Sequence, residues 1–305
     1  MTEQKTLSSQ AWLELLLLGL IWGASFMTIR IALDEVSVLS SVVHRVGWAA
    51  IALWVIVWLR GLKIPTNPMV WFAFIGMGIL NNVLPFSLMA WGQLHIESGL
   101  TSILNAVTAI FGVLVAALFF ADERLTAMRL LGVGLGFAGV VSVIGPGALT
   151  GFDLRSTAQI AVLAGTLSYA FAGAWGRWRL GGLSPVVAAA GMLTASLVIM
   201  LPLTLLREGN IDLPTTPRGM LAIAYYALIA TAGAYLLYYR VLARAGAGNL
   251  MLVTLIIPPI AIALGAWVLN EALNPNAYLG FGLLALGLMV INFSGRRRNI
   301  TGAST

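Results

Sequence analysis

The chain has no cysteine among its 305 residues. That absence removes disulfide frameworks, thiol nucleophiles and thiolate metal sites from consideration. Charge is the second scarcity. Asp, Glu, Lys and Arg make up 9% of the residues, against roughly 25% in a soluble domain. Hydrophobic residues supply 60%, and mean hydropathy is +0.95. Most of such a chain cannot face water, so it is an integral membrane protein. Histidine is limited to His44 and His95. There is no His-Glu-x-x-His segment, and neither a metal nor a cofactor is expected. Ser25 has no evident base, which disfavours an intramembrane enzyme. The net charge of +6 does not point to nucleic acid, because the basic residues sit singly in short gaps between apolar runs.

A helix crossing the hydrocarbon core needs ~20 apolar residues. Charges, Pro, Gly and Asn separate ten such runs, at 11–32, 38–59, 69–91, 98–120, 126–146, 157–178, 184–206, 218–240, 248–270 and 276–294. The ~10-residue alternation of a transmembrane barrel is missing. The first run, from Ala11 to Ile29, outlasts the ~7–15-residue apolar core of a signal peptide, and no clear cleavage site follows. It is expected to be a retained span. The expected class is therefore all-α, with ten transmembrane helices.

The basic residues divide unevenly between the two sets of connections. Lys5, Arg60, Lys63, Arg124, Arg129, Arg177, Arg179, Arg240, Arg244 and Arg296 to Arg298 fall at the termini and in even-numbered loops, 12 in all. Arg30, Arg155, Arg207 and Arg218 fall in odd-numbered loops, and Arg45 lies inside a span. Positive charge stays cytoplasmic, which predicts both termini inside a bacterial-type cytoplasmic membrane.

The chain also contains itself twice. Residues 123–139 read ERLTAMRLLGVGLGFAG and residues 271–287 read EALNPNAYLGFGLLALG. Both fit E-x-L-x5-L-G-x-G-x4-G, at a spacing of 148. At a spacing of 147, Leu20 aligns with Leu167, Trp22 with Tyr169, Arg30 with Arg177, Leu33 with Leu180 and Ser37 with Ser184. Each copy holds five spans, an odd number, so the second must enter the membrane upside down. The expected divisions are 1–148, an inverted repeat at 149–298 and a cytoplasmic tail at 299–305. Inverted repeats build many secondary transporters, with a solute site between the halves. The motif glycines, Gly132, Gly134, Gly136, Gly139, Gly280, Gly282 and Gly287, have a packing role available, since they let helix backbones approach. Glu123 and Glu271 are expected to accept hydrogen bonds from the first amides of neighbouring helices.

This pattern, with IWGASF at 21–26, Arg45, LGVGLGFAGV and LGFGLLALGL, resembles the EamA branch of the drug/metabolite transporter superfamily over nearly the whole chain. Within the branch it is most similar to YddG-type exporters of aromatic and other hydrophobic amino acids. The resemblance implies a central cavity, alternating access and export of such metabolites. Relatives commonly carry Pro in the middle of both spans four and nine. Here Pro258 and Pro259 occupy span nine, whereas the aligned Ile110 and Phe111 do not supply one.

The candidate substrate residues are Trp22, Phe26, Arg45, Asn82, Phe86, Tyr169 and Tyr235. Gating or coupling candidates are His44, Asn81, Asn105, Pro258 and Pro259. A mid-span arginine costs ~2.5–3.5 kcal/mol on insertion scales and usually faces an interior space. Arg45 either binds substrate, snorkels outward or clamps span two to a neighbour. His44 either shuttles protons or makes a hydrogen bond within the bundle. Asn81 and Asn82 point about 100° apart on a helix, so one is expected to face the site and one to join helices. Trp22 and Tyr169 are related by the repeat and either wall the cavity or fill the core. Tyr235 shares a face with Tyr239. Pro258 and Pro259 either interrupt span nine or merely kink it, and Thr254 stands one turn earlier.

No acid lies deep within a predicted span; Glu14 comes closest, three or four residues into span one, and is expected at the interface. A cation exporter would be expected to hold its substrate with a buried carboxylate. An arginine instead suits a carboxylate, and aromatic walls suit an apolar side chain. The small-molecule partner expected from these residues is a hydrophobic amino acid, handled by a monomer. The alternative is a broader drug or metabolite exporter that takes lipophilic cations by cation–π contact with Trp22 and Tyr169.

Overall fold

The computed structural model describes residues 9–120, 126–144, 154–250 and 253–301, with the side chains of 144, 154, 242–243, 245–249 and 292–301 also outside the description. Glu123 lies outside the described residues. Among those described there is helix and no strand.

Each predicted run is a helix. They are α1 (Ser9–Ala32), α2 (Val38–Leu59), α3 (Pro68–Gly92) and α4 (Ser98–Phe119), followed by α5 (Ala127–Ile144), α6 (Leu154–Arg179) and α7 (Pro185–Glu208). The last three are α8 (217–250), α9 (Val253–Leu269) and α10 (Pro275–Thr301). Seven are long and apolar enough to cross a membrane, namely α1 to α4 and α6 to α8. Ala127–Val143, Val253–Leu269 and Pro275–Ile291 are shorter apolar stretches. Large apolar side chains such as Trp58, Trp267 and Leu206 are more than three-quarters exposed. Such surface would aggregate in water and is at home in lipid.

Local chemistry marks the helix starts. Asn67 caps α3 by accepting from the Met69 amide at 2.9 Å, with Pro68 following. Thr216 does the same for α8 through Gly219, with Pro217 at the first position. Proline is favoured there because its missing N–H has no helical partner in any case.

Three pairs of equivalent helices, α2 with α7, α4 with α9 and α5 with α10, lie against each other and run antiparallel. Glu271, just past α9, accepts from the Ser98 amide at 2.8 Å and the Gly99 amide at 3.3 Å, at the start of α4. This is the capping role expected for it. Glu208, at the end of α7, accepts from the Leu39 amide and the Ser40 hydroxyl at the start of α2. In α5 and α10 the motif glycines cross reciprocally. A Cβ on Gly132 would sit 2.7 Å from the Gly287 carbonyl oxygen, and one on Gly139 would sit 2.6 Å from that of Gly280. Gly139 and Gly287 are themselves equivalent positions, so the contact is self-complementary, as across a twofold axis. Gly134 and Gly282 face open space and take no part. Other extensive pairings also survive exchange of each helix for the one five places along. α1 packs on α9 as α6 packs on α4, and α3 packs on α6 as α8 packs on α1.

One interruption lies just before Pro85, and the other two have no proline beside them. α3 carries a π-helical segment at Ile79–Val83, and α8 carries one at Tyr225–Gly233, near-equivalent places in the two halves. α4 breaks after Asn105 and resumes at Thr108. α9 stays helical through both Pro258 and Pro259.

Candidate functional site

The site is built where α2, α3, α6, α7 and α8 meet. A π turn widens the helix by one residue and frees a backbone carbonyl. Both π segments have such carbonyls satisfied from elsewhere. Ser168 on α6 donates to Leu80 O at 2.7 Å, and Trp22 on α1 donates through Nε1 to Ala230 O at 3.1 Å. Within α8, the Thr231 hydroxyl donates back to Tyr226 O at 2.7 Å.

Thr231 then accepts from Arg45 Nε at 3.0 Å. The Arg45 guanidinium carbon lies 3.8 Å from the centre of the Phe86 ring, a cation–π contact. Arg45 therefore points into the bundle and does not snorkel. Its only hydrogen bond uses Nε, and the two terminal nitrogens donate to no described residue. Those nitrogens form half of the fork that holds a carboxylate through parallel bonds.

Around this fork stand tyrosines and amides. The charge of Arg45 is felt at Tyr169, Tyr235 and Tyr226. The Tyr235 hydroxyl accepts from Asn81 Nδ2 at 3.0 Å, and Asn82 Oδ1 lies 3.4 Å from it. Asn82 is fully buried and donates to Ser196 Oγ on α7 at 2.8 Å. The geometry exchanges the roles read from the sequence: Asn82, named there as a substrate residue, joins α3 to α7, while Asn81 is half-buried beside Tyr235. Arg45, Asn81, Tyr169 and Tyr235 all keep some exposure in mid-helix, although their polar tips converge inside the bundle.

Phe86, Tyr169 and Tyr235 belong to one apolar cluster with Val46, Val83 and Met192. Trp22 and Phe26 lie in another, with Ile257 and Tyr238, the last ring 6.0 Å from that of Trp22. Trp22 and Tyr169, paired by the repeat, thus pack in different clusters. His44 is buried and bonds through Nε2 to Asp212 O at 2.8 Å, away from Arg45. Asn105 is half-buried at the break in α4, one turn before Thr108, whose hydroxyl is buried without a partner. Pro258 is buried and Pro259 exposed on α9.

Thr231, Tyr226 and Ser196 were not singled out from the sequence. Their roles depend on the π segment and on an interhelical contact, and only the Tyr225–Tyr226 pair beside Thr231 and Gly233 offered a signal. Glu14 is buried against the neighbouring helix and receives Arg240 at 3.0 Å and Arg244 at 2.8 Å from α8. A buried carboxylate is tolerated when cations meet it.

Two stretches of the chain, 10–145 and 156–293, each match the pattern of the EamA-like transporter family. The chain belongs to that family. Several of its curated relatives are named as transporters. The chain is 27% identical over 278 residues to the uncharacterized inner membrane transporter YedA of Escherichia coli strain K12, covering 90% of this chain and 88% of that one. It is 27% identical over 300 residues to a probable terminal-alkyne amino-acid exporter of Streptantibioticus cattleyicolor, covering 96% and 97%. A crystal structure of a protein 18% identical in sequence matches with a TM-score of 0.67, over 95% of this chain and 98% of that one. The shared fold of this EamA-like transporter is thus seen along almost its whole length, and the two family matches coincide with the two copies read in its sequence.

Proposed function

We propose that this EamA-like transporter exports aromatic and other hydrophobic amino acids by alternating access between two inverted five-helix halves, 1–148 and 149–298. The observation that carries the reading is the Arg45 fork. A guanidinium fixed by Thr231 and Phe86, with its terminal nitrogens unpartnered, is organised for a carboxylate that the protein itself does not supply. Tyr169, Tyr235 and Phe86 offer apolar and aromatic contact for the side chain, and Asn81 offers an amide for the α-amino group. A resident cation at the centre weighs against lipophilic cations as substrates, since like charges repel in a low dielectric.

The antiparallel pairing of α2 with α7, α4 with α9 and α5 with α10 supports inversion, and the basic-residue bias supports cytoplasmic termini. A relative named as a probable amino-acid exporter supports the substrate class. The test is uptake of labelled phenylalanine into vesicles holding the purified protein, challenged by other solutes. Competition by tryptophan and leucine, with none by phenethylamine, is the expected result. Transport of a lipophilic cationic dye with no phenylalanine flux would overturn the reading.

A further inference from the structure

A second polar space opens at the end of the bundle formed by the α1–α2, α3–α4 and α9–α10 connections. Its volume is about 520 Å³, and its wall includes Arg30, Asp34, Gln93, His95, Glu97, Arg218 and Glu271. By the basic-residue bias this is the external face. The volume exceeds that of a single amino acid.

Most of the charges there are already committed. Asp34 holds Arg30 at 2.6 Å. Glu97 holds Arg155 through two bonds, at 3.2 and 2.9 Å. Glu271 is taken up by the start of α4, accepting from the Ser98 amide and hydroxyl. Three wall groups are not committed in this way. Arg218 is exposed and makes no hydrogen bond or ion pair among the described residues. His95 makes only an edge contact with the Trp91 ring, 4.9 Å between centres. Gln93 is 1% exposed, yet its Oε1 and Nε2 both lack a partner. Buried amides are normally paired, and an orphan calls for an explanation. A bound solute that pairs with it supplies one.

The free groups sum to one permanent cation, one amide and one imidazole, with the acids neutralised. We propose that this vestibule is a second solute site, which takes the carboxylate of an amino acid on Arg218 with Gln93 and His95 beside it. This inference rests on the amino-acid reading above and adds a waiting position at the external mouth, separate from Arg45.

The experiment counts bound solute by equilibrium dialysis of labelled phenylalanine against the purified full-length chain in detergent. Two molecules per chain are expected. Arg218→Gln should leave one, and so should Gln93→Leu. Arg45→Ala should leave the other one, which phenethylamine, lacking the carboxylate, does not displace. Arg218 is exposed, so its substitution does not threaten folding, and a lost site in that variant reports on binding. One molecule per chain in the wild type, lost in Arg45→Ala and unchanged in Arg218→Gln, would overturn the vestibule site and leave the central reading standing. No binding at all by the wild type would overturn both.

Discussion

Single residues carry the charge logic of this protein, and each ion lies where a specific partner offsets its desolvation. Glu14 sits between Arg240 and Arg244, and Arg45 lies on Phe86. In the α7–α8 connection, Asp212 receives the Ser37 amide at 2.9 Å, and bonds from Ser37 hold its carboxyl below the usual range. A carboxylate with a depressed folded pKa adds stability above its unfolded pKa of ~4 and loses that contribution as pH falls through the folded value. Asp212→Ala should therefore lower stability at neutral pH by on the order of 1 kcal/mol. The gap to the wild type should begin to narrow below about pH 4 and close only once pH falls below the folded value. Thermal melts in detergent at pH 7 and pH 3.5 check this, and a gap of equal size at both would show that the charge is not involved.

At the scale of helices, the sequence announced the close packing and only one of the three interruptions, the one beside Pro85. Gly139 and Gly287 lie against backbone of the opposing helix, whereas Gly134 faces open space. Gly139→Val should destabilise the protein by about 1–3 kcal/mol through overpacking. Gly134→Ala should be neutral or stabilise it by up to about 1 kcal/mol, because alanine is the better helix former. Melting temperatures of the two variants separate these outcomes, and similar losses in both would remove the reciprocal crossing as a stabilising contact. Pro258 and Pro259 suggested a break in α9, but the helix continues through them. The π segments arise instead in stretches with no proline of their own, ILNNV and YYALIATAG. A π turn needs only that freed carbonyls find donors, and here those donors, Ser168 and Trp22, come from other helices. No local pattern encodes that.

For the molecule as a whole, hydropathy and internal repetition made the architecture legible. Lipid forces long apolar runs, and those runs could be counted directly. Arg45 was legible for the same reason, as an expensive residue in an apolar stretch. Its partner Thr231 was not, because the two lie 186 residues apart. The cations that meet Glu14 were not legible either, as they come from α8. The proposed inverted arrangement makes a direct topological prediction, aided by the native lack of cysteine. Asp34→Cys, in the α1–α2 turn, and Gly181→Cys, in the equivalent α6–α7 turn, should react with an impermeant thiol reagent from opposite faces of the membrane. Labelling of both from one face would dismantle the inverted halves.

The most direct test of the whole account is phenylalanine counterflow by Arg45→Ala and Arg45→Lys in vesicles. Loss of a charge-assisted fork worth about 1.5–3 kcal/mol should lower flux roughly 10- to 100-fold. Lysine should restore little of it, because a point charge cannot replace a bidentate grip. Both variants should keep the melting behaviour of a folded protein. Wild-type flux through folded Arg45→Ala would make the arginine a scaffold and contradict the account.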